Sequence, residues 1–557
     1  MKRSLRRVLV ATAASVATFL AALASATAGD LTTGDLVPVS GTSPFGDPLV
    51  EGEDDCENAD NVQAQLEFGD GDIVPHSEVE PWIDVNPTDQ DNDGIVGDNL
   101  VGMWQQDRWS NGGARGHVVG VSDDGGASWD EVVLPEVTVC SGGTTDPDHF
   151  GNYQRTTDPW VSFGPDGTLH QISLSFNDIQ DATPPFQDFD GFDDFDHALL
   201  ASKSENGGET WSRPEIVIRD TDANAFNDKQ TITADPTDAD NVYAVWDRLL
   251  FPASEAASVR SSFTTAAFRG PIWFNRSTDN GDPGSWEDPR QIYDPGQNDQ
   301  TIASQIVVRP NGKLVNLFAE FNGEQTNKLR AWTVKVLRSN DKGDTWSAPF
   351  LVDRLQTISV TDPETGEDVR TGDIIPDVAV DPDPDSGRLY AVWQDARFSD
   401  FQNDSIAFSQ SLNGGRTWSA PVKVNETPTD DPAITTGDQQ AFTASVDVAD
   451  DGTIAVTYYD FRNNTTAPDL KTDYFAVHCH PTTPTACTDR ANWVKEDEIQ
   501  LTDASFDMRQ APLTTTGFFT GDYEGLANAG DDFTPFFSQT HGSDPSSVFF
   551  RRVVSPP

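Results

Sequence analysis

The sequence predicts an all-β fold, a β-propeller of four-stranded antiparallel blades, with seven blades favoured and six as the alternative. Three observations predict it. A short turn motif ending in Trp recurs five times in order along the 557 residues. Strand-turn-strand segments accompany the copies, and sustained helical periodicity is missing throughout. Length alone would suggest three or four domains of about 150 residues each, but a repeat of this kind makes one large domain of the chain.

In chain order, the N-terminus reads as a secretory leader. Lys2, Arg3, Arg6 and Arg7 precede an apolar run from Val8 to Leu23, and Ala26-Thr27-Ala28 offers a cleavage site, so residues 1–28 are expected to be removed. No later stretch approaches the ~18 apolar residues of a membrane span, so an exported, extracellular product is expected. Residues 29–75 form an N-terminal segment in which Val62 to Phe68 is the expected strand, closing the last blade, and 76–557 form the propeller. Its strand pairs run from Pro81-Trp-Ile-Asp-Val85 with Leu100-Val-Gly-Met-Trp104 to Ser445-Val-Asp-Val448 with Ile454-Ala-Val-Thr-Tyr458. A seventh unit spans Tyr523 to Val553 and lacks a fourth strand of its own. Four cysteines in an exported chain suggest two disulfides, Cys479 with Cys487 locally and Cys56 with Cys140.

The repeated turn reads Ser122-Asp-Asp-Gly-Gly-Ala-Ser-Trp129, and returns from Ser204 to Trp211, Ser339 to Trp346 and Ser411 to Trp418, with two extra residues between Ser277 and Trp286. Asp, Asn and Gly satisfy a tight turn and the Trp packs beneath it. Copies stand about 60–80 residues apart, enough for four strands and long loops. In the sixth unit Cys479 to Trp493 occupies the place of this turn. The motif resembles the Asp-box, or bacterial neuraminidase repeat, of the sialidase superfamily. That resemblance places the boxes between the third and fourth strands and the active site on the opposite face, so the boxes themselves read as structural.

The charge excludes whole classes of partner. With 36 Lys+Arg against 91 Asp+Glu the formal charge is −55, which argues against nucleic acid and against docking on anionic membranes. A solvated monomer acting on a glycan or other carbohydrate is expected. Against that background the cations on one rim are informative. Strand 2 repeatedly ends in an aromatic, an acid and an arginine, which singles out Arg108, Arg248, Arg397 and Arg462 as substrate-binding candidates. Blade-to-blade loops add Arg155, Asp158, Asp228, Lys229, Asp373, Gln440, Arg509 and Gly521-Asp-Tyr-Glu524. Repeated Asp/Arg pairs also read as structural salt bridges.

The sialidase resemblance implies three arginines on a substrate carboxylate, a tyrosine nucleophile polarised by Glu, and an Asp acid/base, the exception to the two-carboxylate glycosidase. In compatible chain order stand Asp158 as acid/base, Glu320 as the polarising acid and Tyr523 as nucleophile. The F-R-I-P signature of the superfamily is absent; the corresponding segment is Glu80-Pro-Trp-Ile-Asp84. A glycosidase working through two carboxylates, Asp247 with Asp395 or Glu320, is one alternative; a non-catalytic glycan- or protein-binding propeller is another. No cofactor is required. Asp89, Asp91, Asp93 and Asp98 match the opening of a calcium loop without the closing Glu, and Asp178 to His197, acidic with Phe186, Phe189, Phe192 and Phe195, reads as an inserted loop on the functional face.

Overall fold

The computed structural model describes residues 31–46, 73–88, 96–144, 151–177, 196–221, 224–250, 269–323, 332–428, 437–466, 468–493 and 498–555. The leader, the expected strand Val62 to Phe68, Cys56, Asp89, Asp91, Asp93 and most of the Asp178 to His197 stretch lie outside these residues. The described chain is all-β, with short 3-10 turns as its helical elements. Among the described residues, no helix is long and apolar enough to cross a membrane.

Antiparallel units follow one another, numbered here I to VII. Unit I is Ile73–Val85, Leu100–Trp109, Ala114–Ser122 and Asp130–Val133. Unit II is Arg155–Phe163, Leu169–Phe176, His197–Ser204 and Glu215–Asp220; unit III is Ala225–Ala234, Val242–Leu250, Ile272–Ser277 and Arg290–Tyr293. Unit IV is Asp299–Val308, Leu314–Asn322, Trp332–Ser339 and Phe350–Arg354; unit V is Asp377–Val380, Leu389–Asp395, Ser405–Ser411 and Val422–Lys423. Unit VI is Ala441–Val448, Ile454–Asp460, Lys471–Cys479 and Ile499–Gln500. In unit VII, Gly525 pairs with Phe536, Phe536–His541 pairs with Asp544–Val554, and Thr32–Pro38 from the chain's N-terminal part pairs with that last strand. Single bridges, Ala114 to Thr156 and Ser77 to Ser546, join units I, II and VII into one continuous sheet.

The first strands of the units are tied to one another in a circuit. Phe163 N donates to Asp84 Oδ2 at 2.7 Å, Ala234 N to Ser162 Oγ at 3.1 Å, and Thr233 Oγ1 to the Ile306 carbonyl at 2.8 Å. Gln305 bonds Asp377, and Val446 N donates to Asp377 Oδ2 at 2.8 Å. Ser445 Oγ donates to the Glu524 carbonyl at 2.6 Å, and Ser538 Oγ to the Glu78 carbonyl at 3.0 Å, which returns to unit I. Each tie satisfies a buried polar group that the parent sheet leaves unpaired.

Those first strands share a local distortion. Glu80, Asp158, Lys229, Ala303 and Thr443 take φ of 54°, 53°, 48°, 61° and 48° at matching positions. At each one the ladder register slips, as in a β-bulge. A left-handed residue other than Gly costs free energy and persists only where the surroundings fix it. Here the bulge re-aims one side chain per strand toward the centre.

The second strands carry the cores. Trp104, Trp246 and Trp393 are fully buried between units, and their indole N–H groups find partners in Gln106, Asn227 and Asp395. The repeated turns sit between third and fourth strands and share one bonding pattern. The Ser hydroxyl accepts from the N–H four residues on: Gly126, Gly208, Gly281, Gly343 and Gly415, at 2.8–2.9 Å. That glycine is left-handed in all five, and at Gly126 a Cβ would lie 2.0 Å from Phe550. The turn of each unit therefore packs closely on the unit before it. In unit VI the Cys479–Cys487 disulfide and Trp493, which stacks edge-on to Phe408 of unit V, take the place of that turn. Cys140 is disulfide-bonded as well.

Candidate active site

The bulge positions converge. Lys229 Nζ stands 3.0 Å from Glu80 Oε1, 2.5 Å from Asp158 Oδ1 and 3.1 Å from Asp522 Oδ2. Arg370 forks onto Asp522, with Nε 2.9 Å from Oδ1. Arg108 donates to Gln105 Oε1 at 2.5 Å, and Gln105 in turn donates to Glu80. The Arg108 and Arg370 guanidinium groups both lie over Phe519, 4.6 and 4.3 Å from its ring centroid. Three cations thus meet three carboxylates in a buried centre within a chain of strongly negative charge.

Beneath them lies a cavity of about 30 Å³, lined by Trp82, Trp160, Lys229, Gln305, Asp377 and Tyr523 among others. Such a volume holds one or two waters rather than a sugar. Trp82 and Trp160 stack at 3.5 Å, and Tyr523 meets both rings edge-on. The Tyr523 hydroxyl donates to the Pro159 carbonyl at 3.1 Å, and Lys229 Nζ sits 5.2 Å from its ring centroid.

Burial and charge set the protonation states. Desolvation raises Glu80 to about 7 against the pull of Lys229, and raises Asp158 and Asp228, the latter to about 6. Burial would raise Asp522 too, but Arg370 and Lys229 overcome it and hold that carboxyl well below its ordinary range. Lys229 is held well above its usual value: burial lowers it, and Asp158, Glu80 and Asp522 outweigh burial. Burial, then the same three acids, push the Tyr523 phenol far up. Desolvation and the neighbouring Arg370 bring Arg108 down to about 10. A carboxyl that exchanges its proton near neutrality, beside a second raised one and a third held ionised by arginine and lysine, is a setting for acid/base work.

No family profile matches the chain, and no characterised protein matches its sequence. Solved structures similar to it include a Hadza microbial sialidase (14% identity, TM-score 0.42), with 82% of this chain and 73% of that one covered. Another is the leech intramolecular trans-sialidase (10% identity, TM-score 0.41), with 94% and 98% covered. A third is the α-L-arabinanase of Penicillium chrysogenum (13% identity, TM-score 0.37), with 72% and 93% covered. These neighbours are glycoside-processing proteins. At such identities and TM-scores the likeness carries no argument about chemistry.

Of the residues singled out in the sequence, the structure brings Tyr523, Asp158 and Arg108 together with Lys229 and Asp522 of the blade-to-blade loops. The other arginines stay away from this centre, paired within their own unit or with the fourth strand of the unit before it. Arg248 forks onto Asp220 and stacks on Trp273; Arg397 bonds Asp395, Asp353 and the Arg354 carbonyl. Arg462 bonds Asp460 and Glu498 and lies over Phe475. Glu320 accepts from Tyr293 and Lys335. Asp247 accepts from Thr301 and Ser304, and Asp395 from the Trp393 indole. The aromatic-acid-arginine pattern therefore braces these strand ends, as a local pair for Arg397 and Arg462 and as a tie to the preceding unit for Arg248. Asp98 is buried, its carbonyl accepting from Gly125 N. Among the described residues, no three His, Cys, Asp or Glu side chains are arranged around a metal position.

Glu80 and Arg370, given no role from the sequence, complete the centre. Sequence held a signal for the first: Glu80-Pro-Trp82 and Asp158-Pro-Trp160 repeat an acid two residues before an aromatic at one register. Arg370 lies in a strand, Asp368–Arg370, inserted between units IV and V and paired with Gly517–Phe519. Lying outside the repeat, it leaves no periodic trace.

Proposed function

We propose that the chain is a secreted, seven-bladed Asp-box propeller of sialidase type, hydrolysing terminal acidic sugars at the mouth formed by Glu80, Arg108, Asp158, Lys229, Arg370, Asp522 and Tyr523. The circuit of ties between first strands supports a closed ring of seven blades, with Thr32–Pro38 as the fourth strand of the last. The single observation that carries the activity is the meeting of three cations, three carboxylates and a tyrosine, with Glu80 and Asp522 pushed to opposite protonation. In this reading Glu80 works in its ionised form. Tyr523 attacks the anomeric carbon while the Glu80 carboxylate takes its proton, the protonated Asp158 gives its proton to the leaving oxygen, and Arg108, Lys229 and Arg370 hold the sugar carboxylate. At rest Asp522 fills the place of that carboxylate on Arg370 and Lys229, so substrate must displace it.

A second reading is favoured by the 30 Å³ cavity and by the Tyr523 hydroxyl facing the Pro159 carbonyl: a non-catalytic propeller whose charged centre is a structural plug. Hydrolysis of a fluorogenic sialoside separates the two. Turnover by the mature protein that falls at least 100-fold in Glu80→Gln and Tyr523→Phe, with Tm kept, supports the enzyme. Folded wild-type protein that turns over neither the sialoside nor a panel of aryl glycosides ends the enzymatic reading and leaves the plug.

A further inference from the structure

The turn of each unit packs on the unit before it; at the II/III and III/IV seams the charges there are matched, and at IV/V they are not. The residue just before the first Ser of the turn is Lys203 in unit II, Arg276 in unit III and Arg338 in unit IV. Facing it is the sixth residue of the next turn: Asp282, Asp344 and Arg416 respectively. Lys203 pairs with Asp282, and Arg276 pairs with Asp344 at 2.9 Å. A second pair at the III/IV seam joins Lys342 to Asp235, 3.6 Å apart. At the IV/V seam both acids are replaced. Arg416 faces Arg338, and Arg309 stands where unit III has Asp235.

Arg309 and Arg338 are 9% and 7% exposed, and the Nε of each is buried with no hydrogen-bond partner. Among the described residues no carboxylate pairs with any of the three. Arg309 reaches this position because Gly387 and Gly414 let it: a Cβ on either would lie 2.7 or 2.5 Å from its terminal nitrogens. Burial and the neighbouring guanidinium groups hold both buried arginines below their ordinary range, Arg416 acting on each and Arg309 on Arg338. Two buried guanidinium groups beside a third are costly unless an anion joins them. That this arises in a chain of charge −55 makes the missing acids more pointed.

We propose that the notch between units IV and V, on the face of the repeated turns, is a binding site for one tetrahedral oxyanion, a sulfate or phosphate group. Planar arginine forks match such an anion bidentately. A single oxyanion fits better than a long polyanion, because the acidic surface repels charge that extends beyond the notch while screening over ~8 Å shields the site itself. The site stands apart from the central mouth and does not depend on its chemistry.

Thermal unfolding of the full mature chain tests this, with sodium sulfate and sodium phosphate titrated against sodium chloride at matched ionic strength. The wild type is expected to show a saturable rise in Tm of about 2 °C or more. Arg416→Asp, at an exposed position, restores the acid used at the preceding seam. It is expected to raise Tm without added oxyanion and to abolish the saturable rise. Arg276→Gln, at the paired seam, should keep it. Glucose 6-sulfate and glucose 6-phosphate against glucose then separate a sugar-borne group from the free ion. No saturable rise in wild type, or an undiminished rise in Arg416→Asp, overturns the site.

Discussion

At the scale of single residues, the strand-end acids organise more than the arginines they precede. Asp395 is fully buried, accepts the Trp393 indole N–H at 2.9 Å and holds the Arg397 fork. Asp395→Ala would strand both partners, and removing one member of such a buried pair costs about 3 kcal/mol. The expected result is a large loss in urea midpoint with an unchanged m-value; a midpoint within error of wild type would make this cap dispensable. Arg397→Ala, whose side chain is partly exposed, should cost less, and its effect should be on stability rather than on any turnover. Sequence made these pairs visible but not their role, since repetition alone does not say whether a charge faces a ligand or a neighbouring strand.

At the scale of elements, unit VI shows how a seam can be kept with different chemistry. The turns of units I to V use a serine hydroxyl and a left-handed glycine to press onto the preceding sheet. Unit VI uses Cys479–Cys487, separated by eight residues, and the buried Trp493, whose indole donates to the Cys487 carbonyl at 2.8 Å. In the chain-entropy account a closed loop of that length stabilises by about 2.5 kcal/mol. Cys487→Ser is therefore expected to lower Tm and to make the protein insensitive to reductant at this site. Equal Tm values for variant and wild type would show that Trp493 packing alone holds the seam. The replacement was legible in sequence, because the cysteines and Trp493 fall where the repeat calls for its turn. Which strand of the N-terminal segment joins the last unit was not: Thr32–Pro38 has the composition TTGDLVP, exposed along most of its length, with too weak an alternation to distinguish it.

At the scale of the whole molecule, buried acids set the response to pH. Burial raises Asp84, Asp228 and Asp377 to about 6, Asp247, Asp404 and Glu80 to about 7, and Asp447 and Glu498 to about 8. Each binds a proton in the folded state over a range where the unfolded chain has released it. Their stability is full below the ordinary carboxylate range, near 4, and is lost as pH rises through about 6–8. Asp522 and Asp362, held low by arginines, act oppositely, but their contribution is already complete above pH 4–5. Self-repulsion of the acidic surface adds to the loss at high pH. Tm should therefore be higher at pH 5 than at pH 8; the reverse order in calorimetry would mean that these acids are ionised in the folded protein.

The sequence by itself determined the repeating units, the seams between them, the local disulfide and the acidic surface. All of these are written in short-range periodicity, in turn chemistry, or in composition. Only the tertiary structure decided which charges meet. Glu80, Asp158 and Lys229 converge because first strands surround one centre and these three are bulged at the same point, and Asp522, hundreds of residues on, reaches it from the segment after Gly517–Phe519. Arg248, Arg397 and Arg462 share a motif yet turn away from that centre: Arg397 and Arg462 take the acid two residues before them, and Arg248 crosses to Asp220 of the preceding unit. Which of these an arginine finds depends on the packing of neighbouring units, which the motif does not encode.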